Sequence, residues 1–182
     1  MSKPNNNPFV QQLDLLMSGY SYNFYDHKNQ ARADDLLVRQ RATKSLNEGA
    51  EIIARLEGEY QRRYIPPSTR ENPYPSSETL NRLRDLATLR ERFRELGAKI
   101  LGMAVPTQDK VWWRFQDEAA LLNQLIQFDY QLVQQTEQLY QQASTLTPDL
   151  WQQGGEGVNL GGAFQHLEML IRDRQNFLQR PG

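Results

Sequence analysis

Residues 107–146 read TQDKVWWRFQDEAALLNQLIQFDYQLVQQTEQLYQQASTL. Written in sevens, this segment places its apolar side chains in adjacent columns, three and four residues apart. The three columns are Val111, Glu118, Leu125, Leu132, Leu139 and Leu146; Trp112, Ala119, Ile126, Val133 and Tyr140; and Phe115, Leu122, Asp129, Thr136 and Ala143. This spacing is typical of an amphipathic helix. Glutamine, a good helix former without charge, fills the other faces, and neither Gly nor Pro interrupts the run. We therefore predict one helix about 60 Å long.

A helix of this length needs packing partners, because helix propensity alone does not stabilise it. Two arrangements supply them: a helical bundle and a coiled-coil dimer. The apolar stripe is broader than the two-column seam of a coiled coil, and Asp129 and Thr136 interrupt it. The sequence therefore favours the bundle.

Four further segments have helical periodicity and supply the partners. The predicted helices span residues 8–18, 26–64, 77–103 and 163–179. The second has Asn47 and Gly49 near its middle, so it is either one helix with a kink or two helices. Ser76 or Ser77 is the expected N-cap of the third.

Proline and glycine mark the connections between these helices. Residues 65–76 contain four of the nine prolines and form a loop. Thr147 and Pro148 predict the start of a short helix that carries Leu150 and Trp151 and ends at Gly154. Five glycines in residues 154–162 indicate a flexible loop.

We therefore predict an all-α protein, an antiparallel bundle of three long helices with shorter N- and C-terminal helices packed on it. One helical-bundle domain is expected over residues 8–180, after a disordered tail at residues 1–7. A chain of 182 residues is long enough to bury a core without disulfides, and it contains no cysteine.

The composition narrows the classes of function. A net charge of −1 argues against general electrostatic affinity for nucleic acid. No apolar run reaches the roughly 18 residues that a membrane span requires, and the first residues do not have the pattern of a signal peptide. A cytoplasmic location is the simplest expectation.

The sequence carries no pattern that points to catalysis. Its two histidines, His27 and His166, do not occur in a metal-binding motif, and no nucleophile and base can be paired by spacing. The glycines at 154–162 lack the Lys and Ser/Thr of a phosphate-binding loop. We therefore expect no catalytic residues, no metal, no cofactor and no small-molecule substrate.

The predicted third helix has an arginine-rich face, at Arg82, Arg84, Arg90, Arg92 and Arg94. Such a face could bind phosphate, RNA or an anionic membrane surface. Acidic residues at 85, 91 and 95 are interleaved with the arginines, however, and no aromatic platform accompanies them. We interpret the face as a solvated surface of salt bridges.

Aromatic residues near the N-terminus suggest an interaction surface. The segment GYSYNFYDH contains Tyr20, Tyr22, Phe24 and Tyr25, and these side chains either cover the core or bind a partner. Trp112 belongs to an apolar column, and its neighbour Trp113 is turned about 100° away, toward the rim of the bundle. Tyr20, Tyr22, Phe24, Tyr25 and Trp113 are therefore the candidate protein-binding residues.

These features favour a non-enzymatic adaptor, assembly or scaffold protein that acts through protein–protein contacts. Its expected partner is another protein or a second copy of this chain in a homodimer. A peripheral membrane-surface protein is the alternative. A weaker one is a phosphotransfer-like bundle that uses His166, although Glu168 and Met169 follow this histidine where such a protein would have Lys and Gly.

Overall fold

A computed structural model of the protein describes residues 8–18, 30–65, 67, 69–70, 74–105, 111–114, 118–154 and 160–179. Every regular element in these ranges is an α-helix. The helices are α1 (Pro8–Leu16), α2 (Gln30–Tyr64), α3 (Ser77–Leu101), α4 (residues 111–114), α5 (Ala119–Ser144), α6 (Pro148–Gln152) and α7 (Leu160–Gln179). The predicted all-α bundle is confirmed. The predicted tail at residues 1–7 lies outside the described residues.

The long helix α2 is continuous through Gly49 and packs antiparallel to α3. Arg39 Nη1, near the start of α2, donates to the carbonyl oxygen of Leu101 at the end of α3 (2.9 Å). A Cβ added at Gly49 would lie 2.6 Å from Cε1 of Phe93. This glycine therefore does not divide the helix; it lets the Phe93 ring pack directly against the backbone of α2.

Helix α5 lies beside α2 and runs parallel to it. Arg41 of α2 pairs with Glu137 of α5 at 3.1 Å, while earlier in both helices Asp35 and Asp129 bind the same Arg174 side chain. Since α3 is antiparallel to α2, the helices α2, α3 and α5 alternate in direction along the chain.

Helix α7 continues this alternation, since it packs antiparallel to α5. The Phe128 and Phe177 rings lie 5.4 Å apart, and one turn earlier in α7 Arg174 binds Asp129. The start of α7 therefore lies at the end of the bundle where α5 finishes.

The predicted helix over residues 107–146 is wrong at its N-terminal end. Glu118 has extended backbone angles (φ −102°, ψ 99°) and precedes the first residue of α5, Ala119. The separate turn α4 buries Trp112, which is 2% exposed. Helix propensities differ by tenths of a kcal/mol per residue, whereas burying a large apolar side chain is worth about 1.5–3 kcal/mol. Burial of Trp112 can therefore outweigh helix continuity.

From Ala119 onward the predicted stripe faces the core. Its three columns supply the buried residues of α5, namely Leu125, Ile126, Asp129, Leu132, Val133, Thr136, Leu139 and Ala143. The two polar members have partners: Thr136 donates its hydroxyl to the carbonyl oxygen of Val133 (2.9 Å), and Asp129 accepts from Arg174. The interruptions of the stripe are thus buried with it.

An ion network joins three helices inside this core. Arg174 of α7 is fully buried and donates to Asp129 Oδ1 of α5 (2.6 and 2.8 Å) and to Asp35 Oδ1 of α2 (2.9 Å). Arg39 Nη2 lies 3.0 Å from Asp35 Oδ2, in an ion pair that lacks hydrogen-bond geometry. Because a buried charge is costly unless it is paired, this network favours one alignment of α7 against α2 and α5.

Helix α7 begins at Leu160, three residues before the predicted start. The predicted loop at 154–162 is therefore too long at its C-terminal end, and Gly161 and Gly162 are helical. Leu160 and Phe164, one turn apart, are 6% and 5% exposed. Burial of these two side chains offsets the low helix propensity of the glycines between them.

The predicted caps of α3 and α6 are confirmed. Ser76 Oγ accepts a hydrogen bond from the Thr79 amide (3.1 Å), and Thr147 Oγ1 accepts one from the Leu150 amide (3.2 Å). Gly154 follows α6 with φ of 105°, a left-handed conformation that favours glycine.

Candidate functional site

The tryptophan pair of α4 is divided between core and surface. Trp112 is 2% exposed, whereas Trp113 remains 40% exposed. Neighbouring residues on a helix point about 100° apart, so one apolar stripe cannot enclose both rings. Trp113 thus lies at the rim of the bundle, as predicted from the place of Trp112 in an apolar column.

The other candidate protein-binding residues, Tyr20, Tyr22, Phe24 and Tyr25, lie outside the described residues. Their predicted association with Trp113 therefore stays a prediction.

Four of the five arginines on the arginine-rich face of α3 form ion pairs, as predicted, and Arg84 instead donates to Asn81 Oδ1 (3.4 Å). Arg82 pairs with Glu78, Arg90 with Glu57 and Glu91, Arg92 with Glu95 and Glu168, and Arg94 with Glu91. The Arg92–Glu168 bond is 2.7 Å long and connects α3 to α7. Because neighbouring carboxylates neutralise these guanidinium groups, the face is not a concentrated positive surface.

His166 lies on the exposed side of α7, and His27 falls outside the described ranges. In the described part of the chain, no three His, Asp or Glu side chains are grouped as a metal site would require.

A groove of about 690 Å³ lies between α3, α6 and the first turns of α7. Its described apolar lining residues are Leu160 and Phe164, which are nearly buried, and Leu89 and Trp151, which are half-buried. Volumes of 300–1,000 Å³ are typical of binding pockets. No sequence pattern predicts that these side chains meet.

The charged residues that line the groove are mostly acidic. Among the described residues, Asp85, Glu91 and Glu95 line it together with one cation, Arg92. Arg92 is already bound by Glu95 and Glu168. Asp85 is exposed and has no ion pair within the described ranges.

Trp151 is held in place in this groove by Arg82. Its indole Nε1 donates to the carbonyl oxygen of Arg82 (2.9 Å), and its own carbonyl oxygen accepts from Arg82 Nη1 (2.8 Å). The aromatic ring is therefore oriented before any ligand arrives, which lowers the entropic cost of binding to it.

The end of α2 fixes α6, and with it Trp151. Tyr60 donates its hydroxyl to Gln152 Oε1, and Tyr64 donates to Asp149 Oδ1. Burial raises the pKa of the Tyr60 phenol above 10.0, although Arg82 opposes the shift. The hydrogen bond to Asp149 is the largest cause that raises the pKa of Tyr64, and burial adds to it. Both phenols are thus held as neutral donors.

Sequence patterns gave only part of this site. The cap at Thr147 predicts that Trp151 lies on a short helix, and the arginine-rich face of α3 shows acidic residues interleaved with its arginines. The contact between α6 and the first turns of α3 joins residues 69 positions apart, as in the Arg82–Trp151 bonds. Periodicity within single helices contains no information about such a contact.

No helix in the described part of the chain is long and apolar enough to cross a membrane. Comparison of this chain with known protein families, with curated proteins and with solved structures finds no match in any of the three.

Proposed function

We propose that this protein is a non-enzymatic helical adaptor or assembly component that acts through contacts with another protein or with a second copy of itself. The exposure of Trp113, which keeps 40% of its surface accessible beside a buried Trp112, carries this proposal. Tryptophan is among the residues most enriched at the energetic centres of protein interfaces.

The state of the charged side chains supports a protein partner over a membrane surface. Anionic lipid requires cations on a helix face that are available to phosphate. On α3 four of the five arginines already pair with carboxylates, for example Arg90 with Glu57 and Arg92 with Glu168. The phosphotransfer alternative rests on the exposure of His166 alone.

A single substitution separates interface from core. Trp113→Ala should leave the melting temperature nearly unchanged and should abolish self-association in sedimentation velocity, or capture of the partner if the chain is monomeric. Tyr74, which is 86% exposed, provides the control: Tyr74→Ala should affect neither measurement. A Trp113→Ala protein that melts several degrees earlier and still associates would place Trp113 in the core and the interface elsewhere.

A further inference from the structure

The groove between α3, α6 and α7 is a second surface, distinct from Trp113. Its apolar floor is formed by Leu160 and Phe164, and its sides by Leu89 and Trp151. From Asp85 to Glu95 it follows α3 over ten residues, or about 15 Å, which equals nearly three turns of a helix.

The secondary structure of the groove selects the form of its occupant. Its described sides belong to helices, whose backbone amides and carbonyls are bonded within each helix. An extended peptide would find no strand edge to pair with and would leave its own backbone groups unsatisfied. A helix satisfies its own backbone and can place apolar side chains three and four residues apart on the floor.

The charge of the groove selects the flanking residues of that occupant. Among the described residues, Asp85, Glu91, Glu95 and Arg92 are the charged residues that line it. Glu91 pairs with Arg90 and Arg94, and Glu95 pairs with Arg92 and Lys99. Asp85 remains without an ion pair in the described part of the chain, so a partner with a lysine or arginine beside its apolar stripe complements this carboxylate.

We infer that the groove docks an amphipathic helix of a partner protein, with leucine-type residues on the floor and a basic residue facing Asp85. Trp151 is the anchor of the site, because the hydrogen bond from its indole N–H to the Arg82 carbonyl oxygen orients the ring, and the bond from Arg82 to its backbone carbonyl oxygen holds the start of α3 to α6. This inference does not depend on the proposed role of Trp113.

The test uses a labelled 18-residue helical peptide with leucines at spacing three and four and lysines on either side, titrated with the full chain by fluorescence anisotropy. A second peptide has glutamate in place of every lysine, and a third has the first composition in scrambled order. Saturable binding of the first peptide alone is expected. Equal binding of the scrambled or acidic peptide, or no binding of any peptide below about 1 mM, would overturn the inference.

Two variants locate the bound peptide. Gly161 lines the groove, and a Cβ added there meets no atom within 4 Å, so Gly161→Leu should fill the groove without disturbing the fold and should abolish binding. The matched control is Gly58→Leu on α2, where the added Cβ meets only Arg62 at 3.9 Å, and it should bind as the parent chain does.

Charge reversal tests the rim separately from the floor. Asp85→Lys should weaken binding of the basic peptide by about tenfold, the equivalent of 1.4 kcal/mol. Asp14→Lys, which changes an exposed aspartate on α1, should leave it unchanged. If Gly161→Leu does not reduce binding, the peptide is held elsewhere. If the peptide binds only to a dimer of the chain in sedimentation experiments, the groove is a contact between copies of the chain and the inference is wrong.

Discussion

The packing of α3 against α2 predicts opposite changes in stability for substitutions at two glycines of α2. A Cβ added at Gly58 lies in ordinary contact distance of Arg62 only, at 3.9 Å. A Cβ added at Gly49 lies 2.6 Å from Cε1 and 2.9 Å from Cδ1 of Phe93. Substitution by alanine should therefore stabilise the protein at Gly58 and destabilise it at Gly49.

Two contributions set the change in the free energy of unfolding: the higher helix propensity of alanine at both positions, and the contact with Phe93 at Gly49 alone. In a helix interior, alanine is favoured over glycine by roughly 0.5–1 kcal/mol, and both variants gain this. At Gly49 the Phe93 ring has to move by about 1 Å to reach an ordinary contact distance. The ring also packs edge-on against Phe164, with centroids 5.0 Å apart, so α7 limits this movement. Overpacking of this kind costs about 1–3 kcal/mol.

The difference between the two variants, about 1–3 kcal/mol in the free energy of unfolding, isolates the packing cost. Urea denaturation followed by circular dichroism measures it. Combining Gly49→Ala with Phe93→Leu, which removes the ring edge that the new methyl meets, should recover part of the loss in a double-mutant cycle. Equal stabilisation by Gly49→Ala and Gly58→Ala would refute the close approach of Phe93 to α2.

Two further predictions concern buried polar groups. Arg174→Met should lower the free energy of unfolding by about 3–5 kcal/mol in urea denaturation, because it leaves Asp35 and Asp129 buried without their shared cation; a loss near zero would show that the network is open to water. The raised pKa of Tyr60 determines how its contribution to stability depends on pH. Below pH 10 the phenol is neutral in the folded and the unfolded chain, and above it the unfolded chain releases the proton first. The stabilisation that Tyr60 provides therefore falls as pH rises from 10.0 toward the pKa of the folded state. The urea midpoint of Tyr60→Phe should therefore fall less than that of the parent chain between about pH 8 and pH 10.5, and Tyr74→Phe should behave as the parent; equal falls in all three proteins would contradict the burial of Tyr60.

The sequence predicted the helices well because each one buries a stripe that its own periodicity contains. Even Asp129 occupied its correct column, where it appeared only as a polar interruption. Its partner Arg174 lies 45 residues away on α7, so the pairing depends on the arrangement of helices and not on a local pattern.

The wrong predictions also arise from contacts between helices that the periodicity of a single helix does not contain. The break at Glu118 follows no glycine or proline; instead it accompanies the burial of Trp112. Gly49 suggested a kink or a break in α2, yet the ring of Phe93 from α3 occupies the space that a side chain at this position would fill. Helix propensity is a small energy per residue, so tertiary packing decides wherever the two conflict.

The two candidate surfaces precede and follow α5 in the chain. Trp113 precedes the first residue of α5 by six positions, and Trp151 follows its last residue by seven. Helix α5 itself has 26 residues and is about 39 Å long. Trp113 is not among the described residues that line the groove. Substitutions at independent sites act additively, so Trp113→Ala and Gly161→Leu should each remove one contact and spare the other. That independence is what a component joining two partners needs, and it separates this function from binding through a single surface.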